Sequence, residues 1–165
     1  MKRRSFLGLL SGALLLPGVA QAQEADAAQV AQRYYAALQA GEVDAAVQLL
    51  RPKLVAAMGG AQAAGRLLAL THGLYDDDAD GPSFEFAIQT KAQWRGATAT
   101  IVFFDVAVMF PGLPISYVRP RREEVAVVSE DRGQTWRVVP SGCVDEEAIR
   151  AAIPDYREVR PQVSP

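Results

Sequence analysis

Hydrophobic side chains in the first part of the chain recur every three to four residues, as they do along an amphipathic helix. Two such rows are present, and their members are Ala27, Ala31, Tyr35 and Val30, Tyr34, Leu38. Gly41 follows where the helix would stop, because glycine readily takes the left-handed conformation that closes a helix. The pattern therefore predicts a first helix that ends near Gly41.

Three shorter helical segments are predicted next. They cover residues 43–50, 54–58 and 62–71. Pro52 closes the first of them, because proline cannot continue a helix from its interior. Gly59 and Gly60 separate the other two, and an acidic turn at residues 76–82 ends the helical half of the chain.

From Phe84 onwards the hydrophobic period changes to two, which is typical of a strand with one buried face. The positions expected on that face are Phe84, Phe86, Ile88, Thr90, Ala92 and Trp94. After a turn at Arg95 and Gly96, residues 97–110 are apolar on both faces, as in a central strand that is covered on two sides. A loop at 111–114 follows. Residues 122–129 and 136–139 form a predicted hairpin, and residues 145–153 a last short helix.

The order of these elements predicts an α+β domain, with N-terminal helices packed in a curved antiparallel sheet of cone-like shape. Half of the residues are hydrophobic, which suffices for one core. A single domain is expected over residues 25–153, followed by a tail at 154–165.

The first 22 residues have the organisation of a removable export signal. Lys2, Arg3 and Arg4 precede an apolar stretch, and residues 20–22 (Ala-Gln-Ala) have the small-x-small form of a cleavage site. The stretch is shorter than the roughly 20 apolar residues that span a bilayer. The arginine pair followed by Ser-Phe-Leu resembles the twin-arginine signal, and an ordinary secretory signal is the alternative. Either route predicts a periplasmic or secreted protein, cleaved near Ala22.

The charge balance limits the classes of binding partner to be expected, and the cysteine content limits the possible disulfides. The chain carries 17 basic and 19 acidic residues, and the predicted cleavage removes three of the basic ones, so the mature chain has a net charge of −5. This balance gives no electrostatic reason to expect nucleic acid or an anionic membrane as partner, and membrane contact is expected only during export. Cys143 is the sole cysteine of the sequence, so an internal disulfide is impossible and a structural or intermolecular role is expected of it.

Residues 34–46 (YYAALQAGEVDAA), together with a meander that ends in QTWRVV at 134–139, resemble the nuclear transport factor 2-like superfamily. The resemblance covers nearly all of residues 25–140. It implies a cone-shaped fold in which a bent sheet wraps around the first helix and leaves a pocket at its open end. The superfamily contains steroid isomerases, polyketide cyclases and dehydratases as well as exported domains that bind or assemble, so the resemblance implies a fold and not an activity.

Enzymes of the superfamily use an Asp, His or Tyr inside the cone as acid or base, and Asp105 is the strongest candidate for that role. It lies in the apolar segment 101–108, on the face that Ile101, Phe103 and Ala107 share. A carboxylate with apolar neighbours favours its protonated form and is then suited to proton transfer. The alternative is an Asp on the open face of the sheet, bonded to an arginine or to solvent.

Further candidates accompany Asp105. His72 is the one histidine of the sequence, near the end of a helical segment, where a histidine more commonly interacts with the helix dipole. The predicted ligand pocket consists of Tyr34, Tyr35, Phe103 and Trp94. No cofactor is expected, because the sequence has no phosphate-loop, HExxH or CxxC motif. No metal is expected either, because the acidic turn has Ala87 where a calcium loop needs its twelfth ligand, a Glu.

Residues 129–136 (SEDRGQTW) match S-x-D-x-G-x-T-W, the Asp box of sialidase-like propellers and other exported proteins. The motif predicts a hairpin in which the Asp accepts backbone N–H bonds, the Gly takes a positive φ and the Trp covers the loop. Its members here are Ser129, Asp131, Gly133, Thr135 and Trp136. One box in 165 residues cannot build a propeller, so we interpret it as a fold element.

Two functions remain open from the sequence. The first is a non-catalytic exported domain that binds a small apolar ligand or a protein partner, with a second copy of the chain among the expected partners. The second is a small isomerase, cyclase or dehydratase-type enzyme that uses Asp105 for proton transfer. The direction in which Asp105 points, into the fold or out of it, discriminates between the two.

Overall fold

A computed structural model describes residues 17–71, 84–110 and 121–140. The helices are α1 (Pro17–Gln39), α2 (Val43–Leu49), α3 (Pro52–Ala57) and α4 (Ala61–Thr71). The strands are β1 (Glu85–Arg95), β2 (Thr100–Met109), β3 (Arg121–Ser129) and β4 (Arg137–Val139). The predicted α+β class is confirmed, since the helices come first and the four strands form one antiparallel sheet in the order β1-β2-β3-β4.

Several predicted features lie outside the described residues. They are residues 1–16 of the export signal, His72, the acidic turn at 76–82, the loop at 111–114, Cys143, the last helix at 145–153 and the tail at 154–165. Within the described part of the chain, no helix is both long and apolar enough to cross a membrane.

Glycines end two of the helices, as the sequence predicts. After α1, the Glu42 N–H donates to Ala37 O at 2.8 Å and the Gly41 N–H to Leu38 O at 3.1 Å. This pair of bonds requires a left-handed residue between helix and loop, and Gly41 supplies it with a φ of 71°. The chain therefore reverses direction directly after α1, and α2 packs beside it.

The sheet has two apolar faces. The inner face is turned towards α1 and carries Val102, Phe104, Val106, Val125 and Val127 in one buried cluster with Tyr34, Tyr35 and Leu38. The outer face carries Ile101, Phe103, Ala126 and Val128 in a second buried cluster. The prediction that the strand at 97–110 is covered on both sides is thus confirmed for the first half of β2, from Thr100 to Phe104, whereas the outer face beyond it is partly exposed.

The prediction that β1 buries the same face along its whole length is wrong beyond Thr90. Thr90 pairs with Phe104, but the next paired residue, Ala92, lies opposite Phe103, so Lys91 is the extra residue of a β-bulge. An inserted residue reverses which face the following side chains point to. Phe86 and Ile88 therefore pack on the inner face, whereas Trp94 belongs to the outer cluster.

Candidate functional site

Asp105 points out of the fold. Its cross-strand neighbours are Gln89 on β1 and Glu124 on β3, and its side chain is 53% exposed. Lys91 Nζ lies 3.7 Å from Asp105 Oδ1 and also contacts Glu124, and the hydrogen bond with Glu124 raises the pKa of the Lys91 ammonium. The apolar surroundings expected for Asp105 are not found, because the outer apolar cluster ends at Phe103 and charged side chains follow.

The four residues of the predicted ligand pocket lie on two different faces of the sheet. Tyr34 and Tyr35 are fully buried between α1 and the inner face. Phe103 and Trp94 belong to the outer cluster, Trp94 because of the bulge at Lys91. The structure therefore does not bring these four side chains together in one pocket.

The acid that does face the interior is Glu123, which sequence reasoning missed. It lies on β3 opposite Val106, on the inner face, and its side chain is 3% exposed. The signal that could have found it is the alternation along β3, because Glu123 precedes the buried Val125 and Val127 by two and four residues. Its place inside the run Arg121-Arg122-Glu123-Glu124 made it look like a solvated strand end.

One hydrogen bond and one ion pair hold the Glu123 carboxylate. The Tyr35 hydroxyl donates to Oε2 at 2.9 Å, and Arg121 Nε lies 2.9 Å from Oε1. Arg121 also donates from Nη1 to the backbone oxygen of Thr71 at 3.1 Å, and so links the carboxylate to the last residue of α4. Tyr35, Glu123 and Arg121 form what we call the Glu123 cluster, which ties α1, β3 and α4 together.

Aromatic rings surround the Tyr35 side of this cluster. Tyr35 packs edge-on against Tyr34, with ring centres 5.2 Å apart, and lies 5.5 Å from the ring of Phe86. Phe84 continues the group, 6.4 Å from Phe86. Burial, followed by the negative charge of Glu123, raises the pKa of the Tyr35 phenol far above its usual range. At neutral pH Tyr35 is therefore a fixed hydrogen-bond donor and not a proton acceptor.

Open grooves lie on the described surface, and Glu123 does not line the following three. The α1–β1 groove, of about 470 Å³, is lined by Gln29, Gln32, Arg33, Ala36, Phe86 and Ile88. A groove of about 350 Å³ between α1 and α2 shares Arg33 and Ala36 with it. The third, of about 360 Å³, lies on the outer face beside Asp105 and Arg122.

The turn between β3 and β4 is organised around Asp131. Its Oδ1 accepts from the Ser129 hydroxyl at 2.8 Å and from the backbone N–H groups of Gln134 and Thr135 at 3.0 and 2.8 Å. The Thr135 hydroxyl donates to Oδ2 at 2.5 Å, and Gly133 has a φ of 91°. Trp136 follows and is buried in the inner cluster. These contacts fix the conformation of the turn.

We expect Asp131→Asn to remove a contribution to stability that depends on pH. The Thr135 hydroxyl and the surrounding donors lower the pKa of Asp131 from 3.8 to about 2. A lowered pKa stabilises the fold above the unfolded-state value of 3.8 and loses that effect as the pH falls towards 2. In thermal melts at pH 5, the variant should have a lower melting temperature than the wild type. The difference between the two melting temperatures should disappear between pH 4 and pH 2. A difference that does not change over that range would contradict the assignment.

Among residues 17–71, 84–110 and 121–140, no three His, Cys, Asp or Glu side chains lie close enough together to hold a metal ion.

No family model and no curated protein matches the chain. The chain is similar to a crystal structure named for a calcium/calmodulin-dependent protein kinase type II association domain from Thiobacillus denitrificans. The two share 15% identity over 67% of this chain and 86% of that one, with a TM-score of 0.46. The α+β class rests on the helices and strands described above.

Proposed function

We propose that this protein is an exported, non-catalytic binding domain of nuclear transport factor 2-like fold, and that the α1–β1 groove holds an extended segment of a partner protein. The observation that carries the proposal is the groove itself, which has an apolar floor and a basic rim and runs beside the end strand of the described sheet. The fold assignment is supported by the order of elements, with α1 packed on the inner face of an antiparallel meander.

The positions of the candidate acids favour binding over catalysis. Asp105, which an enzyme of this kind would need inside the fold, lies on the outer face next to Lys91. Glu123 lies inside, but one of its oxygens accepts the hydrogen bond from Tyr35 and the other forms an ion pair with Arg121. A carboxylate held in this way is suited to connecting elements of the fold, and a general base needs an oxygen that can reach the substrate.

The shape of the groove favours a peptide segment over an enclosed small molecule. Small-molecule sites usually bury most of their ligand, whereas this groove is open along its length. β1 is an end strand among the described strands, and the main-chain groups of such a strand can pair with an added strand. Phe86 and Ile88 are two residues apart on the inner face, so they can contact alternate side chains of an extended partner.

The charge of the rim indicates the chemistry of the partner. Arg33 is exposed on α1 and is the charged residue in the lining of the α1–β1 groove, and within the described part of the chain no ion pair joins it to an acidic side chain. Gln29 and Gln32 add amide groups along the same edge. A partner segment that alternates apolar residues with acidic ones would fill the floor and pair with Arg33.

Selection from a displayed library of random peptides tests this proposal. We expect the full exported protein to enrich extended peptides with alternating apolar and acidic residues, and these should cross-link to α1 and β1. Arg33→Glu should weaken binding of an enriched peptide about tenfold, a change of about 1.4 kcal/mol. Arg66→Glu is the matched control, since Arg66 is exposed on α4 and away from the groove.

Two results would contradict the peptide proposal. One is the enrichment of peptides whose binding is unchanged by Arg33→Glu. The other is the absence of any enriched peptide together with a small molecule retained in native mass spectra, which would favour the alternative of a small apolar ligand.

A further inference from the structure

One side chain of α1 reaches across to the turn between β3 and β4. Gln23 Nε2 donates to the backbone oxygen of Arg132 at 3.0 Å, over a separation of 109 residues. The neighbouring Gly133 leaves the space that the Gln23 side chain fills, because a Cβ on Gly133 would lie 2.7 Å from Gln23 Nε2 and 3.2 Å from its Cδ. We call the surface formed by Arg132 and Gly133 the Gln23 seat.

Gln23 is also the residue that directly follows the predicted cleavage site at residues 20–22. Gln21 and Ala22 are exposed, whereas Gln23 and Glu24 are partly buried and Ala27 is fully buried. Cleavage after Ala22 would leave α1 with Glu24 and Asp26 in its first turn, where negative side chains interact favourably with the helix dipole. The boundary predicted from the sequence therefore coincides with the first long-range side-chain contact that the described structure shows.

An amino-terminal glutamine can cyclise. Its neutral α-amine attacks the side-chain carbonyl carbon, a bond forms between the α-nitrogen and Cδ, and the Cδ–Nε2 bond breaks. Ammonia leaves with a proton from the α-nitrogen, and a neutral lactam, pyroglutamate, remains. No oxidant or other reactant is needed, so the rate depends on how freely Cδ can reach the α-nitrogen.

We infer that the Gln23 seat holds the amino-terminal residue of the mature protein and thereby slows its conversion to pyroglutamate. This inference rests on the export part of the proposed function and not on the α1–β1 groove. While Nε2 is bonded to Arg132 O and Cδ lies against Gly133, the side chain must leave the seat before it can close. The observed rate of ring closure is then proportional to the fraction of time that the seat is empty.

The test follows ring closure in the exported protein. The full precursor is produced in a host that exports and cleaves it, and intact-mass spectra taken during incubation give the fraction of chains that have lost one ammonia. Gly133→Ala should form pyroglutamate roughly two- to tenfold faster than wild type, as expected for the loss of one exposed hydrogen bond and its packing. Gly60→Ala is the matched control, since Gly60 has a similar φ of 98° but nothing within 4 Å of an added Cβ.

Every outcome bears on the inference. Faster closure in Gly133→Ala with an unchanged rate in Gly60→Ala supports it, and equal rates in folded Gly133→Ala and wild type overturn it. If Gly133→Ala does not fold, wild-type protein is compared with and without denaturant, and closure that is no slower in the folded protein overturns the inference. A mature chain that begins at any residue other than 23 overturns the inference, and a chain that keeps residues 1–22 overturns the export proposal as well. Neither result affects the proposal of groove binding.

Discussion

Replacing Glu123 with Ala is expected to lower the free energy of unfolding by about 3 kcal/mol, because the substitution removes the acceptor of the Tyr35 hydroxyl and the ion-pair partner of Arg121 and leaves space inside the fold. The Tyr35 hydroxyl would lose its acceptor at 2.9 Å, and Arg121 would lose the carboxylate that holds it beside α4. Chemical denaturation monitored by circular dichroism measures the change.

Glu124→Ala is the matched control for this experiment. Glu124 is the next residue on β3 and points to the outer face, where its side chain is 38% exposed and contacts Lys91. Exposed ion pairs contribute about 0–1 kcal/mol to stability, so the free energy of unfolding of the control variant should fall by less than about 1 kcal/mol. Equal losses in the two variants would contradict the description of Glu123 as the interior acid.

A double-mutant cycle separates the Tyr35–Glu123 bond from the other effects of the substitution. If the bond is a main contribution, the two substitutions should not be additive. The free energy of unfolding lost in the double variant Tyr35→Phe/Glu123→Ala should be about 1 kcal/mol smaller than the sum of the losses in the two single variants. Additive losses would show that Glu123 acts mainly through Arg121 and α4.

The helices and strands could be predicted closely because strong local signals mark their ends. Gly41 ends the first helix, Pro52 separates the second from the third, and Gly59 with Gly60 separates the third from the fourth. Each of these residues acts through its own backbone, so the prediction needs no knowledge of the tertiary fold. The bulge at Lys91 differs, because it depends on how β1 pairs with β2, and the alternation of β1 itself continues through it.

The candidate site was harder to predict, since it depends on which face of the sheet the helices cover. The alternation of β2 correctly puts Asp105 on the same face as Ile101 and Phe103. Because β2 is apolar on both faces, the sequence does not say which face is turned towards α1. Glu123 was missed for a related reason, since a charged residue next to three others is normally solvated, and the tertiary contacts from Tyr35 and Arg121 make its burial favourable.

Tyr35→Phe is expected to change the way stability depends on alkaline pH. At neutral pH the variant should be less stable than wild type by about 1–2 kcal/mol, because Glu123 loses the hydrogen bond from the phenol. In wild type, burial and Glu123 raise the pKa of Tyr35 above its ordinary value of 10.0. The phenol thus stays protonated in the folded protein under conditions in which the unfolded chain ionises.

The sign of the pH effect follows from this raised pKa. A group whose folded-state pKa lies above its unfolded value stabilises the fold fully below the unfolded value and loses that contribution as the pH rises past it. Above pH 10 the free energy of unfolding of the wild type should therefore fall by about 1.4 kcal/mol for each pH unit through Tyr35 alone. The Tyr35→Phe variant has no phenol at this position and should not show this decrease. The stabilities of wild type and variant should converge and then cross near pH 11.

Urea unfolding of both proteins between pH 7 and pH 12 measures this crossing. The other tyrosines are present in both proteins, so their ionisation cancels in the difference between the two curves. A difference that stays constant across this range would mean that Tyr35 ionises as easily in the folded as in the unfolded chain, which contradicts its burial against Glu123. Convergence would instead show that the interior of the fold keeps this phenol protonated, as a donor to Glu123, at pH values at which the unfolded chain ionises.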